Sequence, residues 1–394
     1  MKKKSVLFMP FLQIPSGHHQ VADCLMEELE SSLDVRCEKV DILAYGYGKI
    51  ESFVSGFYLK WIAGLPGLYN VVYRFTVCRA PDQMKRYRLY EWLFLYFMKR
   101  LLKEKTPDVL VCTHALPAYL ANVLKERKQL TVPVINVYTD FFIHNLWGIK
   151  HIDYHFVSTV EMREMLRKKG VPAERIFLTG IPVHRHFKNK EKEPPQYGNR
   201  TAKVLICGGN LGVGGLEKLM AEIKDTGEEK NIKFYILCGK NKSLFDKLKA
   251  MNRQHIIPFS YIHCRKEMNR LYEEADAIIT KPGGVTISES LVKRKPIFIY
   301  EALPGQERIN FRRLLELGVV FPLRRGNICE DILTTLADRA KMENYYRLVD
   351  RYHSYKTKEE PLQLIADILQ RTGTDGAQER REAFFCPEQA VKAP

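Results

Sequence analysis

Short apolar runs alternate along this chain with segments in which apolar residues recur at helical spacing. Residues 5–10 (S-V-L-F-M-P) read as a buried strand, and Val21, Leu25, Leu29 and Leu33 then step along one face of a helix. Further strands are predicted at 35–41, 108–113, 133–138 and 154–158, with helices between them. The pattern restarts after residue 200, with strands at 203–207, 232–237, 276–280 and 296–300. Such alternation specifies an α/β fold of parallel sheets with helices on both faces.

A break divides the two runs. Residues 188–200 (K-N-K-E-K-E-P-P-Q-Y-G-N-R) are charged, carry paired prolines and lack apolar periodicity, which is the composition of a linker. The expectation is two doubly wound, Rossmann-like domains, 1–187 and 201–343, facing each other across a cleft. A mobile tail is expected over 371–394, where periodicity is lost. Residues 52–75 depart from the pattern. They are rich in aromatic and apolar residues, but Lys60 and Pro66 argue against a membrane span. The segment reads either as a pair of core helices or as an amphipathic stretch at a bilayer interface. In the second reading Trp61, Tyr58 and Tyr69 lie at headgroup level and the basic run 85–88 lies beside them.

At 394 residues the chain exceeds what one core serves, which agrees with two domains. Its net charge of +16 favours anionic partners, whether nucleotide phosphates, anionic lipids or nucleic acid. No recognised nucleic-acid module accompanies the charge, so nucleic acid is not expected as a partner. The nine cysteines show no C-x-x-C pair, and several sit inside apolar runs, as expected of buried thiols in a reducing compartment. The basic start is followed by no apolar core or cleavage site of a signal peptide, so a cytoplasmic location is expected.

In open α/β sheets ligands bind beyond the carboxyl ends of strands, so the loops that follow strands hold the candidate chemistry. The strongest is 280–289, T-K-P-G-G-V-T-I-S-E. Gly283 and Gly284 let backbone N–H groups approach a phosphate, and Thr286 can cap the following helix or contact phosphate. One turn on, Glu289 can accept two hydrogen bonds from a ribose diol. A second loop, 304–310, offers Gln306, Glu307 and Asn310 to sugar hydroxyls and pyrophosphate. A third, 208–215, is glycine-rich from Gly208 and Gly209 onward and lacks the Walker ending. In the first half, 15–20 (P-S-G-H-H-Q) presents His18 as a candidate general base. No third ligand accompanies the His pair, so no metal is expected. Asp140 and His144, four apart in T-D-F-F-I-H-N-L-W, share a face if that segment is helical, and either can help activate a hydroxyl.

In this order the motifs resemble the monogalactosyldiacylglycerol synthases and the bacterial processive diacylglycerol glucosyltransferases. The matching pieces are S-G-H-H-Q-V-A (16–22), N-V-Y-T-D-F-F-I-H-N-L-W (136–147), L-T-G-I-P-V (178–183), C-G-K-N (238–241), T-K-P-G-G-V-T-I-S-E (280–289) and P-G-Q-E-R-I-N (304–310). The resemblance implies a GT-B fold and an inverting, metal-independent transfer from a UDP-sugar to diacylglycerol or a glycosylated diacylglycerol, by an enzyme peripheral to an anionic membrane surface. It requires no cofactor. It implies donor contacts from Gly283, Gly284, Thr286, Glu289, Gln306 and Asn310, with Gly208 and Gly209 in the adjacent loop. It places His18 or Asp140 as the base, His18 being favoured, and Gly17, His144, Trp147 and Trp61 on the acceptor or membrane side. It also implies a last helix over about 344–370 that crosses back to the first domain. The family's first loop usually has glycine where this chain has Pro15 and Ser16, which bears on sugar and acceptor choice. A polyprenyl-linked or soluble acceptor, or a non-catalytic UDP-sugar-binding membrane protein, are the rival readings.

Overall fold

A computed structural model describes residues 3–12, 16–48, 86–188, 201–208, 216–224 and 231–374. Segment 52–75 with Trp61, Gly209, most of the expected linker and the end of the tail lie outside the described residues.

Two six-stranded sheets, each wholly parallel, carry the fold. The first holds β1 (Lys4–Met9), β2 (Val35–Lys39), β3 (Val109–Cys112), β4 (Val134–Val137), β5 (Tyr154–Val157) and β6 (Ile176–Leu178), in the order β2-β1-β3-β4-β5-β6. The second holds β7 (Ala202–Cys207), β8 (Ile232–Leu237), β9 (Ile256–Phe259), β10 (Ala277–Thr280), β11 (Ile297–Ile299) and β12 (Phe321–Pro322), in the order β12-β11-β10-β7-β8-β9. Central strands such as β3, β4 and β10 are buried at every position, because helices cover both faces.

Strand order reverses once in each sheet, between β1 and β3 in the first and between β7 and β10 in the second. Loops leaving such neighbours diverge to opposite faces and open a crevice. The crevice of the first sheet is bordered by the turn that enters the helix Gly17–Ser32 and by the Thr113–His114 turn. That of the second is bordered by Gly208 and by the turn that enters the helix Gly284–Val292.

Three strands escape the sequence pattern, β6, β9 and β12, and all three are sheet edges. Pro258 in β9 and Pro322 in β12 are tolerated there because an edge strand has one side without ladder partners. The helix expected over 344–370 is two helices, Arg339–Ser354 and Pro361–Thr374. Pro361 opens the second, where its missing N–H costs nothing. The first packs on the second sheet, with Tyr345 Oη donating to Lys295 O at 2.7 Å. The chain then returns to the first sheet: Thr357 N donates to Leu178 O at 2.8 Å, and Pro361–Thr374 packs on the helix Gly17–Ser32.

Candidate active site

Beside these crevices, between the two halves, lies a cavity of about 630 Å³. From the first half it is lined by Ser16, His19, Gln20, Asp23, Lys39, Asp41 and Phe187. From the second it is lined by residues that include Cys207, Gly239, Arg265, Tyr272, Thr286 and Glu289.

Two helices begin at this cavity. The helix Gly17–Ser32 starts behind Ser16, and the helix Gly284–Val292 starts behind Gly283; neither is capped by a side chain. They meet end to end. A Cβ on Gly17 would lie 3.2 Å from Val285 Cγ2, and one on Gly284 would lie 1.9 Å from the Thr139 carbonyl oxygen. Gly284 is therefore the point at which the halves touch backbone to backbone. Gly283, by contrast, would place a Cβ in open space. Two helix N-termini without a side-chain cap at one cavity give it positive potential, suited to an anionic group. Gly284→Ala is expected to cost on the order of 1–3 kcal/mol through this overlap, read as a lowered melting temperature. An unchanged melting temperature would contradict the close approach.

Thr286 does not cap its helix, since Gly283 holds that position, and its side chain lines the cavity instead. Glu289 lies further along the same helix and accepts from Tyr272 Oη at 2.9 Å. Enclosure raises its pKa to about 7 against the lowering effect of that hydrogen bond and of Arg265. Ser16 Oγ is buried with no hydrogen-bond partner, at the edge of the same cavity. Ser16, where the resemblance implies glycine, thus carries a buried hydroxyl without a partner beside the cavity.

His18, Asp140 and His144 do not line the cavity but gather beside it. The segment 139–147 is a series of turns, not a helix, because Asp140 is drawn across to the other half. Its carboxylate accepts from Gln306 Nε2 and, at 2.8 Å, from Asn310 Nδ2. Burial raises its pKa to about 6, outweighing those two hydrogen bonds. Asn310 is fully engaged, its other amide hydrogen going to Pro282 O at 3.1 Å and its oxygen accepting from Phe141 N at 2.9 Å. In this conformation it pins the two halves together rather than facing a donor.

His18 Nδ1 lies 2.8 Å from Thr139 Oγ1, and its ring meets His114 edge to face at 4.8 Å between centroids. Enclosure, and secondarily His19, lower its pKa to about 4, so it is neutral at pH 7. His144 is lowered to about 3 by burial and by His18, and His114 well below the usual imidazole range chiefly by burial. Trp147 is core, 6% exposed, with its ring 4.5 Å from that of Tyr138, so it is not at the acceptor surface. Gly208 directly follows β7 at the second crevice. Among the described residues no group of three or more His, Cys, Asp or Glu is arranged to hold a metal ion.

His114 and Tyr272 were missed in the sequence. His114 follows β3 at the strand-order reversal, a signal that appears only once strand order is known. Tyr272 sits seventeen residues before Glu289, on another helix, and nothing in the chain announces the pair.

Comparison with known proteins decides the family. The chain is 43% identical to the uncharacterized glycosyltransferase YkoN of Bacillus subtilis, over 93% of this chain and 97% of that protein. Residues 18–183 match the family model of monogalactosyldiacylglycerol (MGDG) synthase, and 203–303 match that of the glycosyltransferase family 28 C-terminal domain. The chain belongs to the monogalactosyldiacylglycerol synthase and processive diacylglycerol glucosyltransferase family. Within this glycosyltransferase family it is 27% identical to a processive diacylglycerol beta-glucosyltransferase of Bacillus licheniformis, over 91% of this chain and 92% of that one. The fold is GT-B. MurG of Acinetobacter baumannii superposes with a TM-score of 0.58 at 13% identity, covering 93% of this chain and 99% of that one. SnogD of Streptomyces nogalater gives 0.57 at 15% identity, covering 94% and 100%.

Proposed function

We propose that this glycosyltransferase moves a hexose from a UDP-sugar to the free hydroxyl of diacylglycerol or a glycosyl-diacylglycerol, with inversion and without a metal ion. It works at the cytoplasmic face of an anionic membrane. The observation that carries this reading is the pair of uncapped helix N-termini at a cleft that also holds Thr286, Glu289 and the unpartnered hydroxyl of Ser16.

In this reading the diphosphate lies against the N–H groups at Gly283–Thr286, and the ionised Glu289 accepts both hydroxyls of the ribose. His18, neutral at pH 7, is the base. Its Nδ1 already holds a hydroxyl, that of Thr139, at 2.8 Å, which is the relation an acceptor hydroxyl needs. Asp140, whose two oxygens accept from Gln306 and Asn310, is the alternative base. The acceptor oxygen attacks C1 of the sugar on the face opposite UDP as its proton passes to His18. The bond from C1 to the phosphate oxygen breaks, and its electron pair stays on that oxygen. The helix N-terminus stabilises the charge that develops there. Among the described residues the cysteines are unpaired and all but Cys264 are buried, which fits a reducing compartment.

The test is incubation of the purified full chain with a panel of UDP-sugars and diacylglycerol vesicles, with products read by mass spectrometry. A hexosyl-diacylglycerol formed only when both substrates are present supports the reading. Transfer confined to a polyprenyl or soluble acceptor, or no turnover with any donor, overturns it.

A further inference from the structure

We propose that the outward face of the helix Arg88–Lys105 is the surface by which this protein docks on an anionic bilayer. The inference rests on the proposed function for its purpose, the supply of a lipid acceptor, but its physical basis is the helix alone.

Leu89, Trp92 and Tyr96 recur at spacings of three and four, so they form one stripe along the helix. They are 65%, 79% and 67% exposed and rank among the few large apolar side chains left in water in the described structure. Lys99, Arg100 and Lys103 continue the same stripe toward the helix C-terminus. The stripe is thus aromatic and apolar in its first half and basic in its second, over about 20 Å of helix. No acidic side chain interrupts it. Glu91 is buried, and Glu104 beside it accepts from Tyr45 Oη at 2.6 Å.

The face cannot roll inward. Glu91, on the opposite side, is fixed by Arg127 at 2.5 Å and by Tyr119 Oη at 2.8 Å. Phe94, Leu95, Met98, Leu101 and Leu102 fill the core beneath. An exposed Trp and Tyr beside lysine and arginine match the boundary of a bilayer, where aromatic rings enter the acyl edge and long cations stay with anionic headgroups. A protein groove would match the apolar half but leave the basic half without a stated partner.

The helix also stands on the reacting side of the molecule. Beneath the stripe, the Phe94 ring meets that of Phe11 at 6.3 Å, Phe11 stacks on His114 at 5.0 Å, and His114 meets His18 at 4.8 Å. A bilayer against this face is therefore three ring contacts from the candidate base.

Flotation of the full chain with vesicles of equimolar phosphatidylglycerol and phosphatidylcholine tests the proposal. The wild type is expected to partition to these vesicles and much less to pure phosphatidylcholine. The triple variant Leu89→Ser, Trp92→Ser, Tyr96→Ser is expected to lose about tenfold or more in partition. Lys99→Glu with Arg100→Glu is expected to lose a similar amount, and high salt to weaken the wild type. UDP affinity, measured on the same samples, is expected to be unchanged in both variants, which separates loss of docking from loss of fold or donor site. As a second measure that needs no disruptive change, brominated lipid is expected to quench indole emission in the wild type and markedly less in Trp92→Phe. Partition of both variants within twofold of wild type, or equal quenching in Trp92→Phe, overturns the proposal. So does a stable dimer that forms through this face and persists on vesicles. If vesicles bind but no sugar is transferred to diacylglycerol, docking stands and the proposed acceptor falls.

Discussion

Purified His18→Ala protein is expected to lose about a hundredfold or more in kcat on diacylglycerol vesicles, while its affinity for UDP stays within about twofold of wild type. The split follows from where the side chain lies. His18 is turned toward His114 and Thr139 and does not line the cavity that would hold the donor. Its removal takes away a proton acceptor without touching the helix N-termini. The pH dependence separates it from Asp140. A base works only when unprotonated, so kcat at saturating donor rises with pH through the pKa of that base. With His18 lowered to about 4 by enclosure, kcat is expected to climb through that region and be flat near neutrality. A limb near 6, the value to which burial raises Asp140, together with near-normal turnover in His18→Ala, would transfer the role to Asp140.

Glu289→Ala is expected to raise KM for the donor by about tenfold or more, with a smaller change in kcat, since the lost hydrogen bonds to the ribose are shared by ground and transition states. The same carboxyl gives UDP affinity a pH dependence of definite sign. Enclosure raises its pKa to about 7, and the diol is accepted by the ionised form. As pH rises from about 6 to about 8 the ionised fraction of free protein grows close to tenfold, and UDP affinity is expected to grow with it and then level off. In unliganded protein the sign is opposite. A carboxyl raised in the folded state adds its full stabilisation below the ordinary glutamate range, and loses it as pH rises through about 7. UDP therefore protects most where the empty protein is weakest. Glu289→Gln should show neither trend, and a UDP affinity that keeps its pH slope in this variant would place the titrating group elsewhere.

Both donor-side features were legible in the chain because their signals are local. A glycine pair between an apolar strand and a helix, with Thr286 and Glu289 within two turns, needs no tertiary knowledge to be read as an anion site. The α/β alternation was legible for the same reason in all central strands, where burial on both faces makes the apolar runs nearly continuous. The edge strands β6, β9 and β12 were not. An edge needs fewer apolar residues and tolerates proline, so its pattern fades into loop.

The acceptor side was harder to read because its geometry is made between distant segments. The four-residue spacing of Asp140 and His144 gives a shared face only if the segment is helical, but Gln306 and Asn310 hold Asp140 from more than a hundred and sixty positions away and the segment turns instead. Asn310 itself carries the right chemistry for a sugar, and only the structure shows its amide spent on Asp140, Pro282 and Phe141. Trp147 looked like an interfacial aromatic and is core, whereas Trp92, which sits in a plainly amphipathic helix, is the exposed one. Its stripe was present in the sequence, but the more apolar segment before it drew the expectation. Overall apolar content marks burial as readily as membrane contact. What separates the two is one apolar stripe on a helix whose opposite face is already packed.

The most direct test is isothermal titration of the folded full chain with UDP at low salt and about pH 8, where Glu289 is mostly ionised. Saturable binding at one site per chain is predicted, weakened about tenfold or more in Glu289→Ala. A folded wild-type protein that takes up no UDP under these conditions would contradict the assignment of the cleft, and with it the proposed reaction.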